Sequence, residues 1–190
     1  MSQNLIEVTL TLNGKNVTAR VAPDTTLYTF VRERGCASVK CACETTNCGL
    51  CTVWLDGSAV LSCAIPMARV NGREVTTLEG LREESAAFAR CLAEEGSEQC
   101  GFCSPGLIMN VLAMEREIRE RAAGQGVEPT APTDDELNAY LAGNLCRCTG
   151  YEGQRRALRR YVAERFAPAA GTDQAVSPAP ATATAGEERA

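Results

Sequence analysis

The stretch CETTNCGLCTVWLDGSAVLSC, residues 43–63, decides how the first half of the chain is read. Cys43, Cys48 and Cys51 are spaced C-x4-C-x2-C, and Cys63 follows the run Thr52–Ser62. Such a run with a fourth cysteine further on is a ligand pattern for a [2Fe–2S] cluster. Two irons need four thiolates, and a short loop can wrap three of them around one side. The fourth must arrive from elsewhere, here from the far end of a hairpin. Thr52-Val53-Trp54-Leu55 and Val60-Leu61 are strand-like, and Asp56-Gly57 between them is a tight-turn pair. Gly49 lets the backbone approach a cluster closely, and loop N–H groups can donate to its sulfurs. The bland alternative is that these cysteines are small buried hydrophobes.

Working outward, Ile6, Val8, Leu10 and Leu12 alternate with Glu7, Thr9 and Thr11. Asn13-Gly14 and then Val17, Ala19 and Val21 complete the pattern of a β-hairpin. Asp24 or Thr25 is expected to cap a short helix bearing Leu27, Phe30 and Val31, which Gly35 ends. Val75–Leu78 reads as a last short strand. Strands around one helix make residues 1–78 a small α+β domain.

Beyond that point the period changes. Leu81–Glu95 is rich in helix formers. Ser104 as N-cap and Pro105 at the first helical position begin a helix with Leu107, Ile108, Val111, Leu112 and Ile118 on one face. Gly124–Pro132 reads as a loop. Thr133 and Glu136 form a capping box before Leu137, Tyr140 and Leu141, and Gly143 stops that helix. Gln154–Phe166 is a final helix. Residues 79–166 are thus expected to form a helical domain. Residues 167–190, dominated by Ala, Pro, Thr, Ser and Gly, are expected to be a disordered tail.

Composition narrows the chemistry. The chain has 190 residues, a net charge of −5 and 11 cysteines, but no histidine. Its acidity argues against nucleic acid and anionic membrane as partners. The missing histidines exclude zinc sites of two cysteines and two histidines, Rieske centres and histidine acid–base catalysis. No apolar run spans a bilayer, and no secretory or twin-arginine leader is visible, so a cytoplasmic location is expected. Clustered cysteines in that reducing compartment point to metal rather than disulfides. No G-x-G-x-x-G or Walker pattern marks a nucleotide or flavin site.

A second group of cysteines is Cys100, Cys103, Cys146 and Cys148, one pair before a helix and one after. Antiparallel packing can bring the pairs together. Four thiolates again suit [2Fe–2S], but spacing alone leaves a four-cysteine zinc site open.

Gln99-Cys100-Gly101-Phe102-Cys103-Ser104-Pro105-Gly106 and Gly143-Asn144-Leu145-Cys146-Arg147-Cys148-Thr149-Gly150-Tyr151 resemble the iron–sulfur subunit of the molybdenum hydroxylases. That is the xanthine dehydrogenase, aldehyde oxidoreductase and carbon monoxide dehydrogenase family. Cys48-Gly49-Leu50-Cys51-Thr52-Val53, Asp56-Gly57 with Ser62-Cys63, and Thr77-Leu78-Glu79-Gly80-Leu81 carry the same resemblance, which spans about residues 4–162. It implies a β-grasp ferredoxin-like domain followed by a four-helix-bundle domain, each holding one [2Fe–2S] cluster, and so iron rather than zinc at the second site. It further implies that Cys100, Cys103, Cys146 and Cys148 ligate the cluster nearer a molybdopterin-binding large subunit. Cys43, Cys48, Cys51 and Cys63 then ligate the one nearer an FAD-binding medium subunit. Gln99 and Cys148 match positions that contact the pterin. The chain is therefore expected to be the electron-transfer subunit of a xanthine dehydrogenase-type oxidoreductase, with no substrate site of its own. The sequence departs from the family at Ala42 and Thr46, where glycine is usual.

Two rival readings are a free-standing two-cluster ferredoxin and a structural zinc module. Of the cysteines left over, Cys36, Cys41 and Cys91, the simplest reading is partly buried thiols. Trp54 is expected in the core. Arg155, Arg156, Arg159 and Arg160 read as a solvated basic face, with docking on an acidic partner as the alternative. Arg147 suits either cluster tuning or an ion pair.

Overall fold

The computed structural model describes residues 5–167. β1 (Ile6–Leu12) and β2 (Lys15–Val21) pair antiparallel, from Ile6 opposite Val21 to Leu12 opposite Lys15. Asn13 and Gly14 join them at φ 49° and 76°. A two-residue type I′ turn requires both in the left-handed region. β3 (Thr52–Leu55) and β4 (Ser58–Leu61) repeat the device, with Asp56 at φ 50° and Gly57 at 82°.

β5 (Glu74–Thr76) begins and ends earlier than expected. Asn13 explains the early end: the Thr77 N–H donates to its side-chain oxygen at 2.8 Å, and its amide donates to the Thr77 hydroxyl at 2.9 Å. Leu78–Gly80 then curls into a 3-10 turn. The five strands make one sheet in the order β2-β1-β5-β3-β4, with β5 parallel to β1 and antiparallel to β3.

α1 (Leu27–Glu33) is capped by Thr26, whose hydroxyl accepts from the Thr29 N–H at 3.2 Å. The expected Asp24 or Thr25 cap is thus displaced. Thr26 bridges Pro66 across the fold, and this holds it in the extended conformation a cap needs. Leu27, Phe30 and Val31 are buried with Val8, Leu10, Val53 and Val75 in one core.

Four longer helices follow: α2 (Arg82–Glu94), α3 (Ser104–Gln125), α4 (Asp134–Ala142) and α5 (Glu152–Arg165). They share a second core built on Phe88, Leu107, Met114, Leu158 and Tyr161. The rings of Phe88 and Tyr161 meet edge-on, 5.2 Å apart. In α3, Ser104 is the first helical residue and Pro105 the second, with Cys103 at the cap. Gly124 lies inside α3, because Gly126 at φ 68° closes the helix instead. The Thr133–Glu136 capping box is present. α5 starts two residues before Gln154 and ends at Arg165. The tail expected over 167–190 falls, beyond Ala167, outside the described residues.

The halves are joined through Trp54. It belongs to β3 but packs in the helical core, and its indole N–H donates to the Met109 carbonyl at 2.9 Å. The basic face of α5 is tied down. Arg155 pairs with Glu152, Arg156 with Glu95, Arg159 with Asp134, and Arg160 with Glu94 and Glu164. Glu115, buried in α3, accepts from Tyr161, Arg119 and Arg165. Among the described residues no helix is long and apolar enough to cross a membrane.

Candidate metal centres

The first group of cysteines is assembled by local backbone. Ser62 donates to the Cys51 carbonyl twice, from N–H at 3.2 Å and from its hydroxyl at 2.7 Å. That brings the end of β4 back to the loop and sets the Cys51 and Cys63 sulfurs 3.3 Å apart. The Thr52 hydroxyl closes the loop on the Gly49 carbonyl at 2.6 Å. Cys43 receives the N–H groups of Asn47 and Thr45 and the thiol of Cys48, which lower it to about 6. A donor-rich loop of this kind is built for a thiolate. Burial and the neighbouring Cys51 thiol push Cys63 the other way, up to about 12.

Thr46, where glycine is usual, stands at φ 56°. The position does demand a left-handed backbone, and a β-branched residue adopts it at a cost. Ala42 is not in that region, so its methyl brings no backbone strain. Cys41, half-buried, donates its thiol to the Cys43 carbonyl at 2.8 Å. Cys36 and Cys91 are buried, and burial pushes both thiols up.

The second group is assembled by tertiary packing. The Cys100 and Cys148 sulfurs lie 3.5 Å apart, and the Cys103 thiol has the Cys146 thiol as a neighbour. Cys103 caps α3, where the helix dipole favours a thiolate, yet burial outweighs this and pushes it up to about 11. The hydroxyl of Thr149 lies 3.1 Å from the Cys146 sulfur. Burial tends to raise Cys146, but Thr149 leads the donors that hold it lower. The Phe102 N–H lowers Cys100. Tyr151, at φ 69°, takes the Cys146 N–H on its hydroxyl at 2.8 Å and so fixes the loop. Gln154 of α5 donates its amide to the Cys103 sulfur at 3.5 Å.

The two cysteine loops touch. The Leu145 N–H donates to the Cys48 carbonyl at 2.8 Å, and the buried Asn144 amide donates to the Gly49 carbonyl at 2.9 Å. Gly49, at φ 74°, is required here, because a Cβ would fall 1.9 Å from the Gly143 carbonyl oxygen. Gly106 is required as well, because its Cβ would fall 2.6 Å from the Gly49 oxygen. Cys43, Cys48, Cys100, Cys103, Cys146 and Cys148 line one cavity of about 350 Å³.

The thiols meet in twos: Cys43 with Cys48, Cys51 with Cys63, Cys100 with Cys148, and Cys103 with Cys146. Among the described residues no three potential ligands converge as one ion would need. Pairs are what a binuclear group needs, since each of its two irons takes two thiolates. Gln99 donates to the Cys148 carbonyl at 3.0 Å, so these two sequence-selected positions are neighbours. Arg147 is exposed on the cavity rim.

Sequence reading passed over Asn144 as a contact between loops, and Thr149 and Gln154 as donors. For Gln154 a signal existed. It recurs with Ala157, Leu158 and Tyr161 at helical spacing, a polar residue on an apolar face.

Residues 10–71 match the model of a 2Fe-2S iron-sulfur cluster binding domain, and residues 77–159 that of a [2Fe-2S] binding domain. The chain is 40% identical over 149 residues to the xanthine dehydrogenase iron-sulfur-binding subunit of Escherichia coli O157:H7, covering 77% of this chain and 88% of that one. It is 35% identical over 167 residues to the nicotinate dehydrogenase small FeS subunit of Eubacterium barkeri, covering 86% and 99%. A chain in the crystal structure of quinoline 2-oxidoreductase from Pseudomonas putida 86 superposes with a TM-score of 0.72 at 33% identity, covering 86% of this chain and 96% of that one.

Proposed function

The chain belongs to the iron–sulfur subunits of the molybdenum hydroxylases, and from that membership we propose that it is the electron relay of such a complex. Cys43, Cys48, Cys51 and Cys63 would hold one [2Fe–2S] cluster, and Cys100, Cys103, Cys146 and Cys148 the other. Each cluster, when bound, takes up and gives back one electron without a proton of its own. The protein's part is to fix the thiolates, supply N–H donors and keep the two sites at a set separation.

The observation that carries this reading is the direct contact of the two loops, Leu145 N–H on the Cys48 carbonyl at 2.8 Å. It joins a residue adjacent to Cys146 to a proposed ligand of the other site. Residues 1–78 are read as the β-grasp ferredoxin-like domain and 79–166 as the four-helix-bundle domain. The direction proposed is from a molybdopterin-binding large subunit, through the Cys100/Cys103/Cys146/Cys148 site, to the Cys43/Cys48/Cys51/Cys63 site, and on to FAD on a medium subunit. Gln99 and Cys148 are proposed to face the pterin. Phe102 and Leu145 support a partner at that end: they are 42% and 50% exposed beside exposed Cys100 and Cys148, where a free carrier would leave apolar surface in water. The compartment proposed is the cytoplasm.

Anaerobic purification of the complex tests the reading. Four irons and four acid-labile sulfides per chain are expected, with two distinguishable [2Fe–2S] EPR signals on reduction. A colourless chain carrying two zinc ions would sink it.

A further inference from the structure

Gln154 is not explained by packing. It is 3% exposed and shares the inward face of α5 with Ala157, Leu158 and Tyr161, none more than 1% exposed. An amide in such a core needs partners. The partner its Nε2 finds is the Cys103 sulfur at 3.5 Å, across 51 residues of sequence. A neutral thiol is a weak acceptor, and a thiolate is a charged one. The amide is therefore well satisfied only when Cys103 is a deprotonated ligand.

Its surroundings hold it there. Gly153 lets the start of α5 close on the neighbouring loop, since a Cβ would fall 2.9 Å from the Ser97 Cα. The other donors to proposed ligand sulfurs come from the ligand loops themselves: Asn47 and Thr45 N–H to Cys43, Phe102 N–H to Cys100, and Thr149 to Cys146. Gln154 alone among these reaches its sulfur from a separate helix, and its burial leaves no water to replace it.

We propose that Gln154 is a positioning residue that acts through Cys103, its amide setting the reduction potential of the helical-half cluster. This rests on the two-cluster reading above. Reduction adds negative charge that is shared with the ligand sulfurs, so an N–H donor stabilises the reduced form more than the oxidised one. Removing the donor lowers the potential of that cluster and leaves the other unmoved.

The test is an EPR-monitored redox titration of the purified complex carrying Gln154→Leu or Gln154→Glu. Cys148→Ser identifies which signal belongs to the helical half. Gln154→Leu is expected to weaken reduction of that cluster about tenfold, 59 mV for a one-electron couple, with the second midpoint unchanged. Gln154→Glu, isosteric and kept for the case that the leucine variant does not load iron, is titrated at alkaline pH, where its buried carboxyl is ionised and accepts rather than donates, and is there expected to lower the midpoint further. Full iron content with an unmoved midpoint in either variant overturns the role of Gln154. A wild-type complex with no [2Fe–2S] signals defeats the proposed function itself and this inference with it.

Discussion

The two proposed cluster sites are assembled by opposite routes. In the first, the paired sulfurs of Cys51 and Cys63 are 12 residues apart in sequence, and the donors to Cys43 are loop N–H groups and a neighbouring thiol. In the second, Cys100 and Cys148 are 48 residues apart, and two of the donors are the side chains of Thr149 and Gln154. A local loop can preorganise its thiolates without much of the fold. A site assembled from three segments inherits its geometry from the helical core. Damage to that core should therefore reach the second site before the first.

The largest effect expected comes from removing a ligand. Cys148→Ser should abolish or grossly distort one EPR signal and leave the other at full intensity; equal loss of both would show that the sites are not separate. Next is Gly49→Ala. The methyl would meet the Gly143 carbonyl oxygen from a left-handed backbone, at a cost of about 3 kcal/mol. Denaturant unfolding should register that loss, and because the glycine lies where the loops meet, iron should fall at both sites.

A smaller effect, confined to the helical half, is expected for Glu115→Gln. Burial tends to raise this carboxyl, but Arg165, Tyr161 and Arg119 outweigh it and hold it below its ordinary 4.5. A lowered folded-state value means that its stabilisation is present above 4.5 and lost as the pH falls through that lowered value. Thermal unfolding should show the variant about 2 kcal/mol less stable at neutral pH, with the gap closing in acid. A gap that widened in acid would reverse the assignment. In iron-limited reconstitution the second site should empty first. The smallest effect is a gain: Thr46→Gly should stabilise the first loop by about 0.5 kcal/mol, since relief of left-handed strain exceeds the entropy glycine adds to the unfolded chain. Calorimetry that found the variant less stable would mean that the Thr46 hydroxyl bond to the Thr45 carbonyl matters more than the strain.

Local features were legible where one short segment decides the outcome. Asn13-Gly14 and Asp56-Gly57 marked both hairpins, alternation chose the buried face of β1, and Thr133 with Glu136 announced α4. Errors fell where a distant residue intervened. Pro66 moved the α1 cap to Thr26, and Asn13 cut β5 short at Thr76. The arginines of α5 do form an exposed face, as read; what had no local signal is their pairing, because the carboxylates lie partly on α2 and α4.

The sequence by itself determined the first ligand set and the hairpin that returns Cys63 to its loop, because spacing and turn chemistry act over a few residues; for Cys100, Cys103, Cys146 and Cys148 spacing left zinc open, and the family resemblance supplied the reading as a cluster. Only the tertiary structure decided that the sulfurs meet in pairs, that Leu145 and Asn144 bind the first loop, and that Gln154 reaches Cys103. Those contacts join segments far apart in the chain, and which groups meet there is settled by how the helices and the sheet pack.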